Sequence, residues 1–486
     1  AAMCKSNITK YLVLAAALVA TTAAHSFAQE GELLAVLRSG ATRQEKSAAC
    51  RQLARIATKE AVPTLAALLD DEELSHMARY ALEPIRDPSV DEALRDALDR
   101  VQGSPRLGVI GSLGVRRDAK AVDALAELLE GTDAAQAAAR ALGNIGTAEA
   151  AKALENALTN VMRGMEPPAG ADQDSPSGGS SLAAALPLCE GLLRCAEALA
   201  ADGQSVPSQA IYDRLRGLAN GPPQVRAAAL RGAILARGKD GVSLVVEAIG
   251  GSDYTLAAAA ARAAMESPHA EIADALLAEL PKAPADRQGL LILALADRGE
   301  SRVLPAVLQA MQNNDAQLRI LAFRALKRVG DASCVPALLD AAAEGSAEVS
   351  QAAMESLESL QGKSVDDQLA ARLSEAQGKM RLALIELAGR RRTAAAAPAL
   401  WLAADDVDPA VRTAALAGLG AVIETADLPK LIARLAATKE EREAAALDKA
   451  LCDVGLRSED REAVAAQLAA ALPTADGPVK ARILET

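Results

Sequence analysis

Aromatic side chains are almost missing from this chain, at 1% of its 486 residues. Tyr11 and Phe27 fall in an N-terminal leader, which leaves Tyr80, Tyr212, Tyr254, Phe323 and Trp401. So few rings count against base stacking and against sugar binding by ring stacking. Histidine is as scarce, with only His76 and His269 beyond the leader. A Ser-His-Asp or Cys-His site needs a His oriented by a carboxylate beside a nucleophile. His269 follows Ser267-Pro268 at a turn and His76 opens a helix beside Met77, so both read as helix N-terminal residues. A zinc site needs three or four convergent ligands, and the spacing offers none. No Gly-rich loop has the phosphate-cradle spacing. The acidic turns Asp70-Asp71-Glu72-Glu73 and Asp405-Asp406-Val407-Asp408 lack the glycine and final Glu of a calcium loop. No catalytic, cofactor-binding or metal-ligating residue is assigned, and no cofactor is expected. Net charge is −12, which disfavours a phosphate backbone and leaves no nucleic acid among the expected partners.

What is present is a period. Arg226, Arg319, Arg381 and Arg412 are separated by 93, 62 and 31 residues, all multiples of 31. Pro305, Pro336, Pro398 and Pro429 keep the same interval in another phase, at 31, 62 and 31. Two residue types locked to one period indicate a tandem array of one supersecondary unit. Each unit opens on Pro and an apolar stripe, as in Pro336-Ala-Leu-Leu. Pro suits the first turn of a helix, where its missing N–H has no partner to lose. A polar turn such as Asn313-Asn314-Asp315 follows, its Asp placed to cap the next helix. The second helix reads Val411-Arg412-Thr413-Ala414-Ala415-Leu416-Ala417-Gly418-Leu419-Gly420. Val411, Ala415, Leu416 and Leu419 share one face, and Gly420 is read as closing the helix.

Steps of 31 from the slot at Arg226 reach Ala257, Gln288, Arg319, Ser350, Arg381, Arg412 and Glu443. The N-terminal slots, near Lys46, Ala78, Arg106 and Ala135, are spaced more loosely at 32, 28 and 29. The sequence therefore predicts two sub-arrays, over 30–162 and 182–486. Between them, 163–181 is rich in Pro, Gly and Ser and reads as a flexible insert, a solvated spacer by default.

The Pro-x-Leu-Leu first helix, the Asp turn and the Val-Arg-x-Ala-Ala-Leu-x-x-Leu-Gly second helix resemble HEAT repeats over nearly the whole mature chain. The resemblance implies an all-α, right-handed α-solenoid (superhelix) of about a dozen HEAT-type helix-turn-helix repeats. It also implies ladders between neighbouring units, formed by the turn Asp and the second-helix Arg; Asp315 with Arg319 and Asp408 with Arg412 match that pair. Pro222, Asp253, Ser346 and Gln377 hold that turn position elsewhere and interrupt the ladder. Some HEAT-like enzymes bind iron through His-Glu pairs, and neither His here precedes Glu. Mostly such arrays are interaction scaffolds.

Three basic runs, Arg116-Arg117, Lys327-Arg328 and Arg390-Arg391-Arg392, fall at the ends of predicted second helices. Cations there complement the macrodipole. Lys5 and Lys10, the apolar stretch Tyr11 to Ala20, and Ser26-Phe27-Ala28 before Gln29 read as a secretory signal peptide over 1–29. Export through a bacterial inner membrane to the periplasm or beyond follows, with no membrane insertion after cleavage. Of the mature cysteines, Cys50, Cys189, Cys195, Cys334 and Cys452, all read as buried thiols. Cys189 and Cys195, six apart on one helix, differ by about 9 Å in rise and point apart, which forbids a bridge. The last residues, from Pro478, look like the start of a second helix without a polar cap, so the array is expected to continue past Thr486. The reading is a non-enzymatic protein-binding scaffold working through the second-helix face. Its alternatives are an accessory array of a larger exported enzyme with its catalytic module beyond residue 486, and a lyase or metal-dependent enzyme on the HEAT frame.

Overall fold

The computed structural model describes residues 27–130, 133–163, 178–218, 221–473, 475 and 477–485. Most of the expected leader (to residue 26) and of the expected insert (164–177) lie outside the described residues. The described residues form fourteen helix pairs with short 3-10 turns and no strand. Helices Ala148–Arg163 and Gly178–Ala201 pack on each other as one pair, so 164–177 connects two helices of a single repeat.

The chain divides into two compact units, Ala1–Leu244 and Val245–Thr486. In the first, second helices pack side by side in sequence order, Arg43–Ile56 on Ser75–Leu82, then Gly103–Val115, Ala135–Ile145 and Gly178–Ala201. In the second unit the same stacking runs from Tyr254–Glu266 through Ala285–Asp297, Ala316–Val329, Ala347–Ser359, Gly378–Arg391 and Pro409–Val422 to Glu441–Arg457. This is an all-α HEAT-type solenoid architecture.

Proline sits one position later than the sequence suggests. Pro305, Pro336, Pro398 and Pro429 are second in helices Leu304–Ala310, Val335–Glu344, Ala397–Ala403 and Leu428–Ala437. Each helix is preceded by a three-residue 3-10 turn. The carbonyl that a residue at the Pro position would use is taken by the N–H just before it, as in Leu304 to Ser301 and Val335 to Ala332. The ring therefore costs no hydrogen bond.

Apolar spacing in the second helices becomes the core. Val411, Ala415, Leu416 and Leu419 are all buried, and Cys50, which holds the phase of Leu416, is buried as well. Alanine brings helices close: Ala257, Ala260, Ala261, Ala263 and Ala264 on one helix are all inaccessible. Gly420 corrects the sequence reading. It lies inside Pro409–Val422, which ends at Ile423, and its hydrogen faces the neighbouring second helix. A Cβ there would stand 2.4 Å from the Ala450 Cα and 2.8 Å from its carbonyl oxygen. Its role is close approach.

Candidate interaction face

The second helices carry the arginines of the repeat, and their start is fixed by the turn. Asp315 accepts from the backbone N–H of Gln317 at 2.8 Å, Asp408 from Ala410 at 2.8 Å and Asp253 from Thr255 at 2.9 Å. These carboxylates are helix caps, and Asp315 with Arg319 and Asp408 with Arg412 form no ion pair within their repeats. Arg412 turns to the next repeat instead, its Nε donating to Glu443 at 2.7 Å and its Nη1 to the Asp406 carbonyl at 3.0 Å. Arg381 also reaches forward, to the Asp406 carboxylate at 2.5 Å, and makes the rung between neighbouring units. Arg319 donates to the Asn313 carbonyl at 3.4 Å. Glu443 is only 6% exposed, so Arg412 is committed to holding it.

A second arginine set was not recognised in the sequence. Arg116, Arg298, Arg391 and Arg457 stand at the ends of second helices and reach back to the carbonyls that close the second helix one repeat earlier. Arg391 donates to the carbonyls of Leu357, Glu358 and Leu360 at 2.7, 2.9 and 2.6 Å, and its other arm holds Asp366 at 2.7 Å. Arg116 contacts the carbonyls of Glu83 and Ile85 at 2.9 and 2.7 Å and the carboxylate of Asp91. Arg298 serves Ala264, Ser267 and His269, and Arg457 serves Gly420 and Ile423 at 2.8 and 2.7 Å. Orphan carbonyls at a helix end need partners, and here another helix supplies them. Within the runs Arg116-Arg117 and Arg390-Arg391-Arg392, Arg116 and Arg391 thus act on the preceding repeat's helix end. The signal was present: Arg298 and Arg391 lie 93 residues apart, on the 31-residue interval.

Reactive groups are placed as frame. His76 is exposed, and His269 precedes helix Ala270–Glu279, its carbonyl held by Arg298 at 3.1 Å. Cys50, Cys189, Cys195 and Cys334 are buried free thiols, and Cys452, against expectation, is half-buried. Burial pushes the thiols of Cys50 and Cys189 up to about 11 and that of Cys195 up to about 12, so they stay protonated. In the acidic turns, Asp71 accepts from the N–H groups of Glu73 and Leu74 at 2.8 and 2.9 Å, and Asp405 pairs with Arg434 at 2.6 Å. Among the described residues, no group of three or more His, Cys, Asp or Glu could hold a metal ion.

Clefts occur between neighbouring repeats within each unit. One of about 410 Å³ has Gln288, Arg302, Gln309 and Asn313 in its walls. A larger one of about 670 Å³ is lined by Leu129, Val161, Pro187 and Leu188. Neither gathers a nucleophile, a base and an orienting group. What the frame leaves exposed is one side of each second helix, including Arg262, Arg324, Glu355 and Glu386.

Residues 273–358 match the family model described as HEAT repeats. That stretch carries HEAT repeats. That match spans second helices Ala285–Asp297 and Ala316–Val329, where slot residues Gln288 and Arg319 lie. None of the curated proteins matches the sequence. Among solved structures, the chain is similar to the karyopherin Kap121p bound to the extreme C-terminus of the protein phosphatase Cdc14p. Identity is 12% over 94% of this chain and 66% of that one, with a TM-score of 0.36. Kap121p alone gives 12% identity, 94% and 66% coverage and a TM-score of 0.41. Importin beta in an ammonium sulfate condition gives 14%, 93%, 71% and 0.39. The chain spans just under two thirds of the length of Kap121p.

Proposed function

We propose that this chain is a non-enzymatic protein-binding scaffold of the bacterial cell envelope, exported to the periplasm or beyond and working through its second helices. One observation carries the reading. Arg381 and Arg412 at the slots and the arginines at the helix ends are engaged in joining repeats, while a separate set of charged side chains on the same helices faces solvent. A surface built on rigid packed elements and free of internal duties is suited to a partner. Lys5, Lys10, the Tyr11 to Ala20 stretch and Ser26-Phe27-Ala28 support export.

The test is site-specific photocrosslinking in the native envelope. A crosslinking residue at Gln351, exposed on a second helix, should capture one defined protein, whereas one at Lys430, exposed on a first helix, should not. Capture from Lys430 alone, or turnover by the purified chain that maps to a cleft, sinks the reading.

A further inference from the structure

Five residues after the first five slots of the Val245–Thr486 unit, its second helices carry a row at the 31-residue interval: Arg262, Leu293, Arg324, Glu355 and Glu386. The last two slots continue it with Ala417 and with Asp448, which Arg482 already holds. Of the first five, the four charged members are exposed and Leu293 is half-buried. Consecutive helices bearing the row pack on one another, so it is continuous. Side chains one turn further on span neighbouring helices, Arg328 to Asp297 at 3.7 Å and Arg390 to Glu358 at 3.4 Å. The sign changes once along the row. Lys327 and Arg328 reinforce the basic half, and Glu358 the acidic half.

Ions on the same face neutralise part of this charge. Arg262 meets Glu266 at 3.7 Å, Arg328 meets Asp297, and Arg390 meets both Glu358 and, at 3.8 Å, Glu386. Arg324 and Lys327 have no acidic partner among the described residues, and Glu355 is bonded to the amide of Gln351 at 3.0 Å. One half keeps a positive surplus and the other a negative one.

We propose that this row is a docking track for a protein segment of bipolar charge. Its carboxylates lie over Arg262, Arg324 and Lys327, an apolar side chain meets Leu293, and ammonium or guanidinium groups lie over Glu355 and Glu386. The proposal rests on the scaffold reading and names the chemistry of its partner. Packed helices stand about 8–10 Å apart. An extended segment rising about 3.3 Å per residue therefore meets one helix every three residues or so. A partner of one sign, nucleic acid included, is repelled by half of the track, which gives discrimination as well as attraction.

The test uses the full chain and two synthetic peptides of about 13 residues, a length that spans the row. One carries glutamates at every third position in its first half and lysines at the same spacing in its second. The other has the same composition with Glu and Lys alternating at those positions. The blocked peptide should bind at least about tenfold tighter at low ionic strength, and the preference should shrink at about 1 M salt, where screening reaches about 3 Å. Arg324→Glu with Lys327→Glu should abolish the preference, and so should Glu355→Lys with Glu386→Lys. All four positions are exposed, so circular dichroism should show both variants folded. Equal binding of the two peptides overturns the proposal, as does a preference that survives both pairs of substitutions. If Gln351 still captures a native partner in that case, the scaffold reading stands and only the track falls.

Discussion

The guanidinium of Arg412 meets the carboxylate of Glu443 at 2.7 Å, one repeat further along the chain. Glu443 is buried, and the Thr438 hydroxyl donates to its other oxygen at 3.2 Å. Removing the cation strands a desolvated charge, and replacing both groups by apolar ones does not. Arg412→Ala should lower unfolding free energy by roughly 2 kcal/mol, whereas Arg412→Met with Glu443→Leu should recover most of it. Urea denaturation of the two variants measures the difference, and a double variant no better than the single contradicts the account.

Gly418 and Gly420 are two residues apart on one helix and should respond in opposite directions. A Cβ at Gly418 meets Ile385 at 3.5 Å, ordinary contact, and Ala suits a helix interior better by about 1 kcal/mol. At Gly420 the same atom collides with the Ala450 backbone, which cannot retreat without moving a helix. Gly418→Ala should raise the melting temperature, and Gly420→Ala should cost about 1–3 kcal/mol. Calorimetry of the two variants decides it.

Arg392 has φ of 55°, as does Arg117, and each directly follows a carbonyl-holding arginine. After Arg298 the equivalent residue is Gly299, at φ of 74°. The left-handed conformation costs a side-chain-bearing residue about 1–2 kcal/mol, partly offset by the greater unfolded-state freedom of glycine. Arg392→Gly should therefore stabilise the protein by roughly 0.5–1 kcal/mol, and Gly299→Arg should destabilise it. Thermal melts showing no gain for Arg392→Gly would contradict this.

Thiol reactivity should single out one position. With the thiols of Cys50, Cys189 and Cys195 pushed up to about 11, 11 and 12 by burial, and that of Cys334 raised for the same reason, their thiolates are absent near neutrality. Half-buried Cys452 is the accessible one of the five. A thiol reagent at pH 8 should label Cys452 quickly and the others only on unfolding, as peptide mapping would show. The folded-state values are raised, so their contribution to stability is full below about 9 and is lost as pH rises towards 11 and 12. Stability measured across that window should fall.

The helix pairs, the core phase of Val411, Leu416 and Leu419 and the caps at Asp315 and Asp408 were legible because a period records which positions recur. It does not record direction. Nothing in the interval says whether Arg412 turns to Asp408 four residues before it or to Glu443 a repeat away. Gly420 was misread for a related reason: glycine ends helices, yet it also admits a neighbour, and only the position of Ala450 separates the two. The row from Arg262 to Glu386 was visible in principle, but its change of sign emerges only once the slots are known to belong to the frame.

The backward reach of Arg391 sets an order of events during synthesis. The carbonyls of Leu357, Glu358 and Leu360 receive their donors from a residue 31 positions after Leu360. At about 5–20 residues per second, that helix end leaves the ribosome roughly 2–6 s before the side chain that completes it. Arg298 and Arg457 impose the same wait on Ser267 and Ile423. At these joints the newest stretch of chain supplies the last bonds of the stretch before it, so maturation trails translation by about one repeat.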